Sequence, residues 1–258
     1  MEYAGITGGL EGWIVWVAVA SAFAAGVVKG TIGFAQPMVM MSALASFVSV
    51  EVALGLLILP TLFTNLMQAL RGGVRPMLDA VARNRRFLVV LLLTLALSAQ
   101  LVPLLPARTM FLLVGLPILF FAVPQLLGWR PALHSRHRRR GEVILAAVAG
   151  FMGGTSGTWG APTVAYLTML ETPKAQQLRV QGVIYGLGAV MLLVAHVKSG
   201  VLNAATAPLS AALIIPACVG LALGFQIHDR LDQERFRRVT LIVLAVAGLN
   251  LIRRAVTG

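Results

Sequence analysis

The feature that most constrains this chain is a succession of apolar stretches, many of them long enough to cross a bilayer. They lie at about 13–28, 37–50, 52–70, 87–105, 107–127, 142–152, 162–170, 176–197, 204–225 and 239–252. A helix needs about 20 predominantly apolar residues to span the hydrocarbon core. Hydrophobic residues make up 58% of the 258, and only 12% are charged. Soluble domains carry about 25% charged residues, so a soluble enzyme and a disordered chain are both excluded. The expected fold is an all-α polytopic membrane protein.

The charge falls where such a protein needs it. A net charge of +12 in a soluble chain would point to nucleic acid. Here the Lys and Arg residues gather in the breaks at 71–86, 128–141 and 226–238, as the positive-inside rule requires. No nucleic-acid partner is expected. The basic run 130–140, with His134 and His137, reads as a loop against anionic lipid head groups. The single cysteine, Cys218, excludes an internal disulfide or a cysteine metal cage. The N-terminal apolar run is preceded by Glu2 and Glu11 rather than a basic segment, so it does not read as a cleaved signal peptide.

Two regions are alike. Residues 26–37 read GVVKGTIGFAQP and residues 150–162 read GFMGGTSGTWGAP. Gly26, Gly30, Thr31 and Gly33 align with Gly150, Gly154, Thr155 and Gly157, and the runs close on Pro37 and Pro162. Gly73-Val74 after one long span matches Gly200-Val201 after another. The chain is therefore expected to be two diverged repeats, 1–128 and 141–258, joined by a basic cytoplasmic linker at 129–140. Glycine and proline both disfavour helix interiors, so each run is expected to interrupt its helix. Irregular backbone at membrane depth survives only where it is buried in protein or lines a cavity. Paired interruptions in matching positions point to a transporter's binding site.

Topology decides how the breaks are used. If residues 13–48 and 142–170 each cross once, the Lys and Arg residues outside Lys29 divide 13 to 7 between the two sides. If each broken segment is instead a re-entrant hairpin, the division is 16 to 4. The second arrangement obeys the positive-inside rule better. It leaves three full spans per repeat, hence inverted repeats with both termini outside. The second arm of each hairpin then starts with a proline in its first turn, where the missing N–H does no harm.

Two half-helix N-termini near Pro37 and Pro162 would carry unpaired N–H groups and partial positive charge, which suits an anion at mid-membrane. The candidate substrate-binding residues are Lys29, Thr31, Gly33, Gln36, Pro37, Thr155, Ser156, Gly157, Thr158, Trp159, Pro162 and Thr163. Glycines without side chains either admit a ligand to the backbone or simply let helices pack closely. Lys29, whose counterpart is Gly153, either meets an anion, neutralises the C-terminal dipole of its own helix, or snorkels to the interface. Asn65 and Gln68 share one helix face, and Gln177, Gln181 and Tyr185 share another. Both faces are weaker candidates for lining the substrate path, since such residues often serve only interhelical hydrogen bonds. Neither HExxH, GxSxG, a P-loop nor a pair of intramembrane aspartates occurs in the sequence, so no enzyme, cofactor or metal is expected.

At the two Gly–Pro runs, and at the spans ending in Gly72-Gly73-Val74 and Ser199-Gly200-Val201, the chain resembles the TauE/SafE sulfite-exporter family over nearly its whole length. That resemblance implies an inner-membrane permease for small sulfur-containing anions such as sulfite, sulfonates or sulfoacetate. Lys29 departs from the pattern, at a position where a small residue is expected. The reading is an exporter of such an anion, whose exit an inside-negative potential favours by about 2.3 kcal/mol per charge per 100 mV. An importer coupled to protons or Na⁺, and a non-transporting membrane scaffold, stay open as alternatives. A homodimer is compatible with all three.

Overall fold

A computed structural model describes residues 10–44, 46–99, 107–129, 138–156, 159–198 and 200–257. Among the described residues the regular structure is α-helical, without strands. In chain order the helices are α1 (Gly12–Ile32), α2 (Gln36–Leu44), α3 (Val50–Ala69), α4 (Val74–Arg83), α5 (Arg85–Ala99) and α6 (Ala107–Leu126). There follow α7 (Arg138–Ser156), α8 (Gly160–Met169), α9 (Lys174–Lys198), α10 (Ala207–Ala212), α11 (Ile214–Arg230) and α12 (Gln233–Thr257). Among the described residues, five stretches are long and apolar enough to cross a membrane: Gly12–Ile32, Val52–Ala69, Lys174–Lys198, Ala207–Arg230 and Gln233–Val256.

Local chemistry sets the helix ends. Ser49 accepts from the Val52 N–H at 3.4 Å and caps α3, satisfying one of the donors a helix start leaves orphaned. Gly33, at φ 89°, takes the left-handed turn that ends α1 and returns its N–H to the Lys29 carbonyl at 2.6 Å. Pro60 lies inside α3, and because it has no N–H it cannot bond the Leu56 carbonyl. Ser210, brought in by α10, donates to that carbonyl at 3.1 Å. A neighbouring hydroxyl thus repairs the gap, as a buried apolar setting demands.

The helices form two compact units. One comprises residues 1–77 and 182–231, the other 78–181 and 232–258. In the first unit, α1 and α2 form a hairpin: Met40 and Leu44 of α2 share a buried cluster with Ala18, Ala22 and Ala25 of α1. Beyond α2 the chain returns to the start of α1, where the Phe47 and Trp13 rings meet edge to face, centroids 5.2 Å apart. The helix α11 packs along α1 through glycines. A Cβ on Gly26 would collide with the Ala217 carbonyl oxygen, one on Gly30 with the Leu221 carbonyl oxygen, and one on Gly220 with the Phe23 carbonyl oxygen. At the end of α3 the Arg71 guanidinium bonds Asp229 at 2.5 Å and lies 4.3 Å over the Phe225 ring.

In the second unit, α7 and α8 form the corresponding hairpin. Phe87 at the start of α5 stacks on Tyr166 near the end of α8, centroids 4.6 Å apart. Arg86 beside it reaches Glu142 near the start of α7 at 3.4 Å. The end of α8 therefore lies at the level of the start of α7. Ser98 of α5 donates to the Gly150 carbonyl at 3.2 Å, and Arg237 of α12 donates to Gln125 of α6 at 2.9 Å.

The structure adds detail to the expectations from sequence. Each glycine-rich run interrupts its helix as expected, but only near its end: α1 continues through Gly26, Gly30 and Thr31 to Ile32 before α2 starts at Gln36, and α7 continues through Gly150 and Gly154 to Ser156 before α8 starts at Gly160. Glycine's intrinsic cost is offset here by packing so close that a larger residue would not fit. The break at 71–86 is largely the helix α4, whose Val74 and Leu78 are exposed one turn apart. The helix α7 starts at Arg138, within the basic run 129–140, while 130–137, with His134 and His137, lie outside the described residues. Each compact unit combines residues from both the first and the second half of the sequence.

Candidate functional site

The break after α1 builds a polar cluster inside the first unit. Lys29 occupies the last turn of α1, where an ammonium complements the helix dipole. It is only 1% exposed, so it does not snorkel. Its Nζ donates to Thr64 Oγ1 at 2.9 Å and to Asn65 Oδ1. Both acceptors are neutral, and Lys29 makes no ion pair among the described residues. An ammonium has three N–H donors, so one stays uncommitted among the described residues.

The surrounding shell is just as dry. Gln36, Thr64 and Gln68 have no exposed surface. The Thr64 hydroxyl lies 2.5 Å from Gln36 Oε1 and 2.7 Å from the Pro60 carbonyl. Its single proton can serve only one of them while its lone pair accepts from Lys29. Gln68 Nε2 donates to the Gly33 carbonyl at 3.0 Å, holding the left-handed turn. Asn65 Nδ2 and Thr61 Oγ1 are buried without a hydrogen-bond partner among the described residues. An uncompensated buried cation costs several kcal/mol, and each unsatisfied polar group about 1–3 kcal/mol. The cluster thus concentrates unspent donor capacity on one buried cation.

The start of α2 completes it. Ala35 precedes the helix at φ 75°, a left-handed conformation held by a residue with a Cβ, which costs about 1–2 kcal/mol. Pro37 is the second helical residue, in the first turn as the sequence requires. Gln36 therefore opens a new helix while its side chain reaches back to α3.

The other candidates are placed differently. The Thr31 hydroxyl donates to the Val27 carbonyl of its own helix at 2.8 Å, and the Thr31 carbonyl faces His228 Nδ1 at 3.0 Å. In the second unit Thr155 and Ser156 are the last two residues of α7, and Gly157 and Thr158 lie outside the described residues. Trp159 is buried at the N-cap of α8, and Thr163 donates to its carbonyl at 2.8 Å. Pro162 lies in the first turn of α8. Gly153, aligned with Lys29, is covered by Trp159: a Cβ there would lie 3.1 Å from Trp159 Cε3 and 3.1 Å from a Leu95 methyl. Gln177, Gln181 and Tyr185 are all buried on α9.

Sequence reasoning missed Thr64 and Thr61. The signal was present: Thr61, Thr64, Asn65 and Gln68 recur at helical spacing and make one polar stripe on an otherwise apolar α3. It missed Gly182 as well, where a Cβ would lie 2.5 Å from the Ala69 nitrogen. That close approach sets α9 against the end of the stripe.

Apolar helices of spanning length, two broken hairpins and a dry cationic cluster define a multi-pass membrane transport protein. The family model Sulfite exporter TauE/SafE matches residues 18–251, so the chain belongs to the TauE/SafE family, whose members are transporters rather than enzymes. No curated protein and no solved structure matches it.

Proposed function

We propose that this permease exports a small sulfur-containing anion, such as sulfite, a sulfonate or sulfoacetate, across the inner membrane. The observation that carries the reading is Lys29: a buried cation with no ion-pair partner among the described residues, one turn before a helix break. On this reading the substrate supplies the missing counterion, accepting from Lys29 Nζ and Asn65 Nδ2, with Gln36 and Thr64 holding the lysine in place. The second broken hairpin, at Gly157–Thr163, contributes backbone donors from its own unit, and the chain is a duplicated pair of inverted repeats. The basic loops face the cytoplasm and anionic head groups, and both termini face out. Export follows from the sign of the membrane potential, which drives anions outward without a coupling ion.

Proteoliposomes loaded with sulfite test this. An inside-negative potential should accelerate efflux through the parent chain, and Lys29→Gln should slow it at least tenfold. A potential-independent, proton-driven uptake would favour the coupled importer. Flux no greater than in protein-free liposomes for sulfite, ethanesulfonate and sulfoacetate would leave the scaffold alternative standing.

A further inference from the structure

The second unit holds a polar cavity that the transport reading does not use. It has a volume of about 320 Å³ and is formed by the end of α8 with its following loop, the start of α9 and the start of α12. At its wall stand Gln177, which is 2% exposed, and Thr240, which is 1% exposed. Gln177 Nε2 and Thr240 Oγ1 have no hydrogen-bond partner among the described residues. Leaving two such atoms unsatisfied in a packed helical body is costly. Native buried polar atoms in this state point to a missing water, ion or ligand. Arg237, on the same turn of α12 as Thr240, adds a guanidinium to the wall, with one donor committed to Gln125.

Two carboxylates complete the lining, Glu171 and Glu234, both at exposed positions. The cavity is therefore asymmetric in charge and depth. Its buried wall offers an amide N–H₂, a hydroxyl and a guanidinium, all suited to an oxyanion. Its outer wall offers negative charge, which repels a bare dianion and suits an ammonium. The volume exceeds a single water's share of about 30 Å³ many times over.

We propose that this cavity binds a small zwitterion, a compound carrying a sulfonate or carboxylate at one end and an ammonium at the other. The oxyanion lies against Gln177, Thr240 and Arg237, and the ammonium lies toward Glu171 and Glu234. No bond is made or broken. The inference does not rest on Lys29, which belongs to the other unit.

The test is equilibrium binding to the purified full chain in nanodiscs, carried in a Lys29→Gln background so that the buried cation of the other unit is absent. The probes are 3-aminopropanesulfonate and propanesulfonate, which differ in the ammonium alone. The first should bind saturably, and the second at least tenfold more weakly. Gln177→Met and Thr240→Val should each weaken 3-aminopropanesulfonate binding about tenfold. Neither should lower the thermal midpoint, because each removes a polar atom that has no partner in the unliganded protein. Absence of saturable binding, or binding unchanged in both variants, would overturn the proposal. So would equal affinity for the two probes, which would deny the ammonium its role. Because the readout is binding in this background, its failure leaves the efflux experiment untouched, and failure of efflux leaves this result standing.

Discussion

The two broken hairpins share a pattern of glycines, a threonine and a closing proline, and spend it differently. In the first, α1 packs on α11 through Gly26, Gly30 and Gly220, and Lys29 between those glycines turns to the polar stripe of α3. In the second, α7 packs on α5 through Gly150, where an added Cβ would strike the Thr94 hydroxyl and the Leu91 carbonyl. The position aligned with Lys29 is Gly153, and Trp159 covers it. One hairpin carries a buried cation with unspent donors. The other fills the equivalent space with an indole. A shared glycine framework thus fixes helix proximity in both, while a single side chain decides which hairpin holds charge.

The largest effect expected from breaking this comparison is on packing. Gly30→Ala would drive a Cβ into the α11 backbone and should cost about 3 kcal/mol, the upper range for overpacking. Gly153→Ala meets only the Trp159 ring and a leucine methyl at 3.1 Å, and should cost about 1 kcal/mol or less. Thermal midpoints of the two purified variants would show the difference, and equal losses would mean the glycines do not play these separate roles.

Next in size is the effect of the charge itself. Lys29→Gln should weaken anion binding about 100-fold, or about 2.7 kcal/mol, the scale of a lost hydrogen bond to a charged group. It should also raise the stability of the unliganded protein, since it removes an uncompensated buried charge. A loss of both binding and stability would assign Lys29 a structural role.

A smaller effect falls on the repaired break in α3. Ser210→Ala leaves the Leu56 carbonyl without the donor that replaces the missing Pro60 N–H, at about 1–2 kcal/mol. The α7–α8 hairpin belongs to the other unit, so it should not feel this change. Hydrogen exchange read separately on α3 and α7 would tell, with faster exchange confined to α3. The smallest effect sharpens the break itself. Ala35→Gly should stabilise the protein by about 1 kcal/mol, because glycine adopts φ 75° without strain. A loss of stability there would contradict the strain argument.

What the sequence made legible follows from which interactions are local. Pro37 and Pro162 marked the restart of each helix because a proline in the first turn is a property of the chain alone. The paired runs located both hairpins. Where the helices stop was less visible. Glycine-rich segments read as broken, and they are, but α1 and α7 run on through their first glycines because Gly26, Gly30 and Gly150 are matched to partner helices distant in sequence. That the polar stripe of α3 meets Lys29 was hidden for the same reason. Thr64 lies 35 residues away, and its role depends on the hairpin bringing α3 beside the end of α1. Thr31, expected to face the substrate, satisfies its hydroxyl within its own helix, as threonine commonly does at such positions.

The central claim is that Lys29 waits for an anion, and ligand-linked stability tests it most directly. At a concentration of 100 times its dissociation constant, a bound anion adds about 2.7 kcal/mol of stability. Thermal unfolding of the parent chain and of Lys29→Gln, each with and without saturating sulfite, separates the possibilities. The account predicts that sulfite raises the midpoint of the parent by several degrees and leaves that of Lys29→Gln unchanged. Equal stabilisation of both proteins by sulfite would contradict it.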